Sequence, residues 1–339
     1  MEVKERTARS LVRKLTSAAD ESVVAAAISE IRLLSKHDAE IRPLLADAGA
    51  VPLLADHLLS GGCAAEDAAA ALLNLSISSR EALMATPILL DALAAALRLP
   101  PPSVAAQHAA AALYSLLSVD SYRPIIGAKR DLISSLVPLL RSPNPTRSIK
   151  DSLKALFGIA LYPLNRPTLV ESGCVQAIFS LVVKDGRSGV VEDATAVIAQ
   201  VAGCGESVEA FRKVAGVRIL VDLMDPAMAA SKRARENAAA ALLNLVMAGG
   251  DKAAGDVREV EGAEKAVKHL AEDQAVSARG KAKAEALLRA LDGARVGRRH
   301  HRINDLNGDD YDAYSSSPSP SPSSSLVSAS LSSFAGSEG

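Results

Sequence analysis

Apolar residues recur along this chain at i, i+3 and i+4, the spacing that gathers them on one stripe of an α-helix. The stripes fall in a fixed order: a short helix, a glycine-marked corner, a second helix, a polar loop, and a longer Ala-rich helix. The stretch 39–76 shows the unit, with 39–47 as first helix, Gly49 as corner, 51–59 as second helix and 64–76 as third. Pro43 falls inside the first of these and predicts that it is shortened or kinked. Gly49 can take φ > 0 without a Cβ clash, so two helices can meet there at a sharp angle. Gly173, Gly216 and Gly262 stand at the corresponding corners, whereas Thr86 and Asp131 hold that place in the third and fourth units, which predicts bends made another way.

The third helices end in cores that can be laid over one another: EIRLLS (30–35), ALLNLS (71–76), ALYSLL (112–117), ALFGIA (155–160), VIAQVA (197–202), ALLNLV (241–246) and ALLRAL (286–291). Their common register position is Leu33, Asn74, Ser115, Gly158, Gln200, Asn244 and Arg289, recurring every 41 to 45 residues. A period in the forties with only helical punctuation marks an all-α solenoid. No unit of such a fold buries its apolar face alone, and stacked neighbours complete one continuous core. The expected organisation is an N-terminal capping or partial repeat over 1–36, the array over 37–292 and a tail over 293–339.

Composition sharpens this picture. Apolar residues make up 49% of the chain and aromatics only 3%, with no Trp, so the core is built from Ala, Leu, Val and Ile and suits closely packed helices rather than strands. The net charge of −1 gives no global attraction to nucleic acid or an anionic membrane. Cys63, Cys174 and Cys204 are far apart and form no CxxC pair, which fits buried or loop thiols in a reducing, cytoplasmic setting rather than disulfides or zinc. The N-terminus is charged and lacks a secretory apolar core. The least polar stretch, 103–119, is too short to span a bilayer and reads as a buried repeat helix.

Gly61-Gly62, Pro100 to Pro102, Pro143-Asn144-Pro145, 186–189 and Gly249-Gly250 are read as loops. After Leu291 the composition turns to RRHHR (298–302), DLNGDDYD (305–312) and a Ser/Pro run, too poor in apolar residues to offset ordering entropy; 293–339 is read as disordered. Ser317, Ser319 and Ser321 each precede a proline and are candidate sites of proline-directed phosphorylation. The RRHHR run offers a weak nuclear-import or anion-binding patch, set against a default of solvated linker.

The blocks GAVPLLADHLL (49–59), AAAALLNLSIS (68–78) and SKRARENAAAALLNL (231–245) resemble armadillo repeats, and most closely those of plant U-box/armadillo proteins. The likeness extends over about residues 8–291, including the opening EIRLLSKHDAEIRPLLADAGAVPLL. The resemblance implies a right-handed superhelix of three-helix repeats whose third helices line a concave groove for extended peptides or partner domains. In full-length members it also implies ubiquitin ligase activity through a U-box that recruits the conjugating enzyme. Only residues 1–29 precede the first core, too few for a U-box, so what carries over is the recognition half of that function. Nuclear-import armadillo proteins use a Trp one turn before the groove Asn. Ala70, Ala111, Lys154, Ala196 and Ala240 hold that place here, which argues against basic import signals as ligands.

Helical periodicity puts the positions seven and four residues before the register position on the same face as it. The polar residues of that face are Asp67 and Asn74, His108 and Ser115, Asp151 and Lys154, Asp193 and Gln200, and Asn237 and Asn244. As a groove floor they would be polar and mostly acidic through the middle, favouring a partner with Lys or Arg at repeat spacing. The competing reading is ordinary solvated or helix-start residues, because acids favour a helix's first turn. An asparagine amide both donates and accepts and suits an extended peptide backbone. No HExxH, GxxxxGK[ST] or GxSxG is present, Gly203-Cys204-Gly205 is only a fragment of a dinucleotide fingerprint, and DLNGDD (305–310) lacks the coordinating Glu of a calcium loop. The expectation is a non-catalytic, cofactor-free scaffold or adaptor in plant ubiquitin-linked signalling. Its partners would be kinases, ligase substrates or transcription regulators; the rival expectation is a ligase or ligase fragment supplying substrate recognition.

Overall fold

Ala-rich third helices and shorter flanking helices assemble as the periodicity requires. In the computed structural model, residues 2–17, 20–141, 143–228 and 230–304 are described, with side chains as far as Gly293. An opening pair, α1 (Glu2–Ser17) and α2 (Glu21–His37), precedes the first full repeat, α3 (Ile41–Asp47), α4 (Ala50–Ser60) and α5 (Ala65–Ser78). The next comprises α6 (Arg80–Met84), α7 (Leu89–Leu97) and α8 (Val104–Leu117). Then come α9 (Tyr122–Gly127), α10 (Arg130–Leu136), which continues as a 3-10 turn Val137–Leu140, and α11 (Thr146–Ala160). The fifth unit has α12 (Arg166–Glu171), α13 (Cys174–Lys184) and α14 (Ser188–Val201). After α15 (Ser207–Lys213) and α16 (Gly216–Met224), α17 (Lys232–Glu259) joins a third helix to the following first helix, and α18 (Ala263–Glu272) and α19 (Ala278–Asn304) close the series. Residues 1–294 form one compact unit. The helix α19 runs past the expected tail boundary at 293, and Ser317, Ser319 and Ser321 lie outside the described residues.

Third helices stack on third helices, α2 on α5, α8, α11, α14 and α17 in turn, while the second helices α4, α7 and α10 form a parallel row. The buried faces are made of small and branched aliphatics: Ala68, Ala69, Ala71, Leu72 and Leu75 in α5 are fully covered, as are Ala238, Ala239, Ala241, Leu242 and Leu245 in α17. Alanine at these places combines the highest helix propensity with a side chain small enough for close approach. Gly158, at the register position of α11, shows how close: a Cβ there would lie 2.8 Å from Leu117 Cβ of α8. The helix starts are capped by Asp20, whose carboxylate accepts from Ser22 N, and by Ser103 and Ser231, whose hydroxyls accept from Ala106 N and Ala234 N.

The corners follow the sequence with one exchange. Gly49, Gly173 and Gly262 adopt left-handed conformations with φ of 89°, 76° and 80°. At the fourth expected corner the left-handed residue is Ala215 (φ 52°), and Gly216 is the first residue of α16. Gly216 is needed for a different reason: a Cβ on it would sit 2.8 Å from the Phe179 ring of α13, which packs edge-on against Phe211 with centroids 5.1 Å apart. The Thr86 and Asp131 corners turn without a left-handed residue. Pro43 lies in the first turn of the shortened α3, where a missing N–H breaks no helical bond. Gly249-Gly250 is a break rather than a loop, Gly250 taking φ 56°, ψ −142° inside α17.

The left-handed alanine gives a signed prediction. Ala215→Gly removes the Cβ penalty, and its urea midpoint should rise by the equivalent of about 0.5–1 kcal/mol, whereas Gly49→Ala should lose a comparable amount. Urea denaturation followed by circular dichroism measures both; a fall for Ala215→Gly would show that this corner is unstrained.

Candidate protein-binding face

All ten residues expected on the third-helix face are half-buried, giving a polar stripe that advances one step per repeat. Most of them reach across to the neighbouring repeat. Asn74 Nδ2 donates to Arg32 O (3.2 Å) and Ser35 Oγ (3.1 Å) of α2, and Asp67 Oδ1 pairs with Arg32 Nε at 3.0 Å. Ser115 Oγ donates to Ser76 O of α5 at 3.0 Å. On α17, Asn244 Nδ2 donates to Ala199 O of α14 at 2.7 Å, and Asn237 Nδ2 to Glu192 O at 3.2 Å and Thr195 Oγ1 at 3.3 Å. Gln200 Oε1 accepts from Arg166 Nη2 at 3.4 Å. The carbonyls of Ser76 and Ala199 belong to last helical turns, which have no intrahelical donor. The amides expected to hold a peptide therefore donate to the preceding helix instead.

A second set of residues, not singled out from the sequence, completes this stitching. Arg42 Nε donates to Ser35 O at 2.7 Å, Arg123 Nε to Leu117 O at 3.1 Å and Arg166 Nε to Ala160 O at 3.0 Å, each capping the C-terminus of the preceding repeat's third helix. Arg80 Nε reaches forward to Ser115 O at 3.0 Å, and Arg166 Nη1 to Gly203 O at 3.3 Å. Positive charge at a helix C-terminus complements the dipole and satisfies orphan carbonyls. The signal for this row was present, an arginine early in the first helix at 42, 80, 123 and 166.

The middle of the face is charge-balanced rather than acidic, which corrects the expectation. Asp151 Oδ2 lies 3.9 Å from Arg147 Nε, and Asp193 Oδ2 lies 3.9 Å from Lys150 Nζ one repeat earlier. Lys154 Nζ stands 5.7 Å from the centroid of the Tyr114 ring, a cation–π contact. Burial pushes the Asp151 and Asp193 carboxyls above the usual range, partly opposed by Lys154 and Arg147 at Asp151 and by Lys150 and Lys154 at Asp193. Burial likewise lowers the His108 imidazole, against the nearby Glu66 charge. Among the described residues neither Asp151 Oδ2 nor Asp193 Oδ2 accepts a hydrogen bond. Exposed apolar side chains one turn further along, Ile77 and Met247, flank the stripe.

The thiols are unpaired, burial pushing Cys174 up to about 12 and Cys204 up to about 11, far from thiolate reactivity. Among the described residues no group of His, Cys, Asp and Glu is placed to hold a metal ion, and no helix is long and apolar enough to cross a membrane.

Stacked three-helix repeats with a stitched third-helix face define an armadillo-type solenoid. A solved engineered protein superposes with a TM-score of 0.72 over 84% of this chain and 68% of its own, at 24% identity. A designed armadillo repeat protein superposes at 0.50 over 84% and 99%, at 22% identity. The chain matches the family described as plant U-box protein ARM repeat region over residues 7–294, and it belongs to that family. It is similar to U-box domain-containing protein 16 of Arabidopsis thaliana, 30% identical over 83% of this chain and 40% of that protein. U-box domain-containing protein 8 of the same plant is 33% identical over 56% of this chain and 50% of its own length. A shorter segment, 23% of this chain, is 51% identical to 11% of U-box domain-containing protein 4 of Oryza sativa subsp. japonica. The matched region thus spans half or less of these relatives. The armadillo fold is a protein-binding scaffold.

Two outcomes test the stitching. Asn244→Ala should cost about 1 kcal/mol by leaving the Ala199 carbonyl unpaired, seen as a lower urea midpoint; an unchanged midpoint would return that amide to a ligand-binding role. The raised Asp151 carboxyl means the folded state holds its proton more tightly than the unfolded chain, so Asp151 contributes stability at low pH that is lost as pH rises through the folded value. Asp151→Asn should therefore raise the midpoint at pH 7 and lose that advantage near pH 4, in urea titrations at the two pH values.

Proposed function

We propose that this chain is a non-catalytic protein-recognition module that binds partner proteins along the groove of its third helices, in plant ubiquitin-linked signalling. The observation that carries this reading is the half-buried polar stripe repeated once per unit from α5 to α17, flanked by the exposed Ile77 and Met247. Such a surface offers one equivalent step per repeat to an extended segment, and apolar side chains beside fixed polar groups supply both burial and orientation. In this reading residues 37–292 are the recognition array, 1–36 its cap, and the site residues act chiefly by holding the groove in shape. The groove groups left for a ligand are the half-buried Lys154 ammonium and the apolar flanks Ile77 and Met247. Kinases, ligase substrates and transcription regulators are the partner classes considered, with the cytoplasm as the compartment and the nucleus as the alternative.

A second reading is favoured by the relatives, whose names carry a U-box domain and whose lengths exceed the matched region: the array is the substrate-recognising part of a ubiquitin ligase. Supplied with ubiquitin, activating enzyme and a panel of conjugating enzymes, the present chain should form no ubiquitin chains; robust chains would establish the ligase reading. For the groove, a photo-crosslinking residue is placed at Ile77, at Met247 and, as a control, at the exposed Leu164, in full-length protein exposed to plant extract. The same partner adducts are expected from the first two positions and not from the third. Adducts confined to Leu164 would move recognition off the third-helix face.

A further inference from the structure

A wide opening in the described surface lies away from the third-helix face. It is a cleft of about 1010 Å³ between the end of the second helix of one repeat, Val137–Leu140, and α13 of the next. Pro138 stands in that segment and the last turn winds as a 3-10 helix, three residues per turn, so its side-chain ridge is out of step with the α-helical ridge of α13. Elsewhere the second helices meet as ordinary α-helical pairs, as α4 does with α7. Here Leu140, Ile149 and Leu181 are left as the floor of a recess.

The rim of the recess is basic. Arg141 and Lys184 face it, both exposed and neither with an ion-pair partner among the described residues. Arg187, also on the rim, is held by Asp185 and donates to Thr146 Oγ1, so that pair fixes the loop without adding net charge. Both third helices that begin here, α11 and α14, start without a side-chain cap, unlike α8 and α17, and their first-turn N–H groups and dipoles add to the positive field. Asn144 lines the cleft with its amide nitrogen taken by Pro138 O (3.3 Å) and Arg141 O (2.9 Å), while its Oδ1 has no donor among the described residues. Ser180 and Gln176 supply further hydrogen-bonding groups along α13.

We infer that this cleft is a second docking site, distinct from the third-helix groove, for an extended acidic segment of a partner protein. Charge complementarity selects the occupant: two unpaired cations at the mouth, uncapped helix starts behind them, and a chain whose overall charge is −1, so the attraction is local to this spot. The recess is long enough to run along α13, and its polar wall suits a peptide backbone while the aliphatic floor admits one small apolar side chain. A polyanion such as RNA is disfavoured, because two cations release too few counterions to hold it at physiological salt.

The test uses the full chain and a labelled 12-residue peptide of Asp and Glu with one central Leu, titrated by fluorescence anisotropy. Its twin with Asn and Gln in place of the acids and a Lys-rich peptide are the controls. Saturable binding of the acidic probe is expected, weakening by about tenfold or more in Arg141→Glu/Lys184→Glu and in Ser180→Tyr, which fills the cleft without changing charge, and weakening with added salt. Ile77→Ser/Met247→Ser, a neutral change on the third-helix face, should bind the probe as the parent does, so loss of the groove reading would leave this result standing. Equal binding of the acidic probe and its neutral twin, indifference to the rim and filling substitutions, or no saturation by about 1 mM would overturn the assignment. Stronger binding of a single-stranded RNA oligonucleotide than of the acidic probe would overturn it equally.

Discussion

Close stacking of alanine-rich third helices is the constraint on which the remaining structure depends. A single unit of three short helices cannot bury its apolar face, and isolated helices of this length are marginal in water. The approach of α8 and α11 leaves no room for even a methyl group at Gly158. That approach brings the last turn of each third helix within hydrogen-bonding reach of the next, which is what makes the stitching by Asn74, Ser115 and Asn244 possible. It also raises the cost of leaving last-turn carbonyls unpaired, because they are no longer free to meet water on every side. The first-helix arginines answer the same requirement from the other direction.

The repeat, the helix order and three of the four glycine corners were legible in the sequence because each rests on local rules: periodicity within a helix, and the conformational freedom of glycine. Ala215 was not legible, since a left-handed alanine has no sequence signature, and the neighbouring Gly216 drew the corner one residue too far. Its glycine answers to the Phe179 ring, a contact between residues 37 positions apart that no local rule reports. Periodicity says which residues share a face and not what lies within reach of them. Only the spacing between neighbouring third helices shows that the amides meet backbone carbonyls, and only the reach of Lys150 to Asp193 shows that the floor is balanced in charge.

This changes what the groove can offer a ligand. Side chains tied to a neighbouring helix are fixed in position, so they orient a bound segment by shape and exclusion more than by direct hydrogen bonds. A carboxylate oxygen buried without a hydrogen bond, as at Asp151 and Asp193, adds to the cost of the face rather than meeting a ligand. The same burial makes the unliganded face less stable at neutral pH, a local cost that the repeat-long aliphatic core offsets.

The same logic separates the two surfaces of the array. Where a second helix keeps its α-helical ridge, as α4 does, it packs directly against the next second helix, α7. Where the last turn around Pro138 winds as a 3-10 helix, the ridge slips, a recess opens, and Arg141 and Lys184 at its edge form no ion pair among the described residues. A regular solenoid gains stability from every unit that repeats faithfully, so a unit that departs from the pattern carries a stability penalty that its neighbours must absorb. The third-helix face keeps its polar stripe from α5 to α17 while the second-helix row opens at the step from Val137–Leu140 to α13. General reading along a uniform groove and a specific contact at the irregular step are therefore compatible within one array, because α11 keeps its stacking on α8 and α14 while its Ile149 forms part of the recess floor.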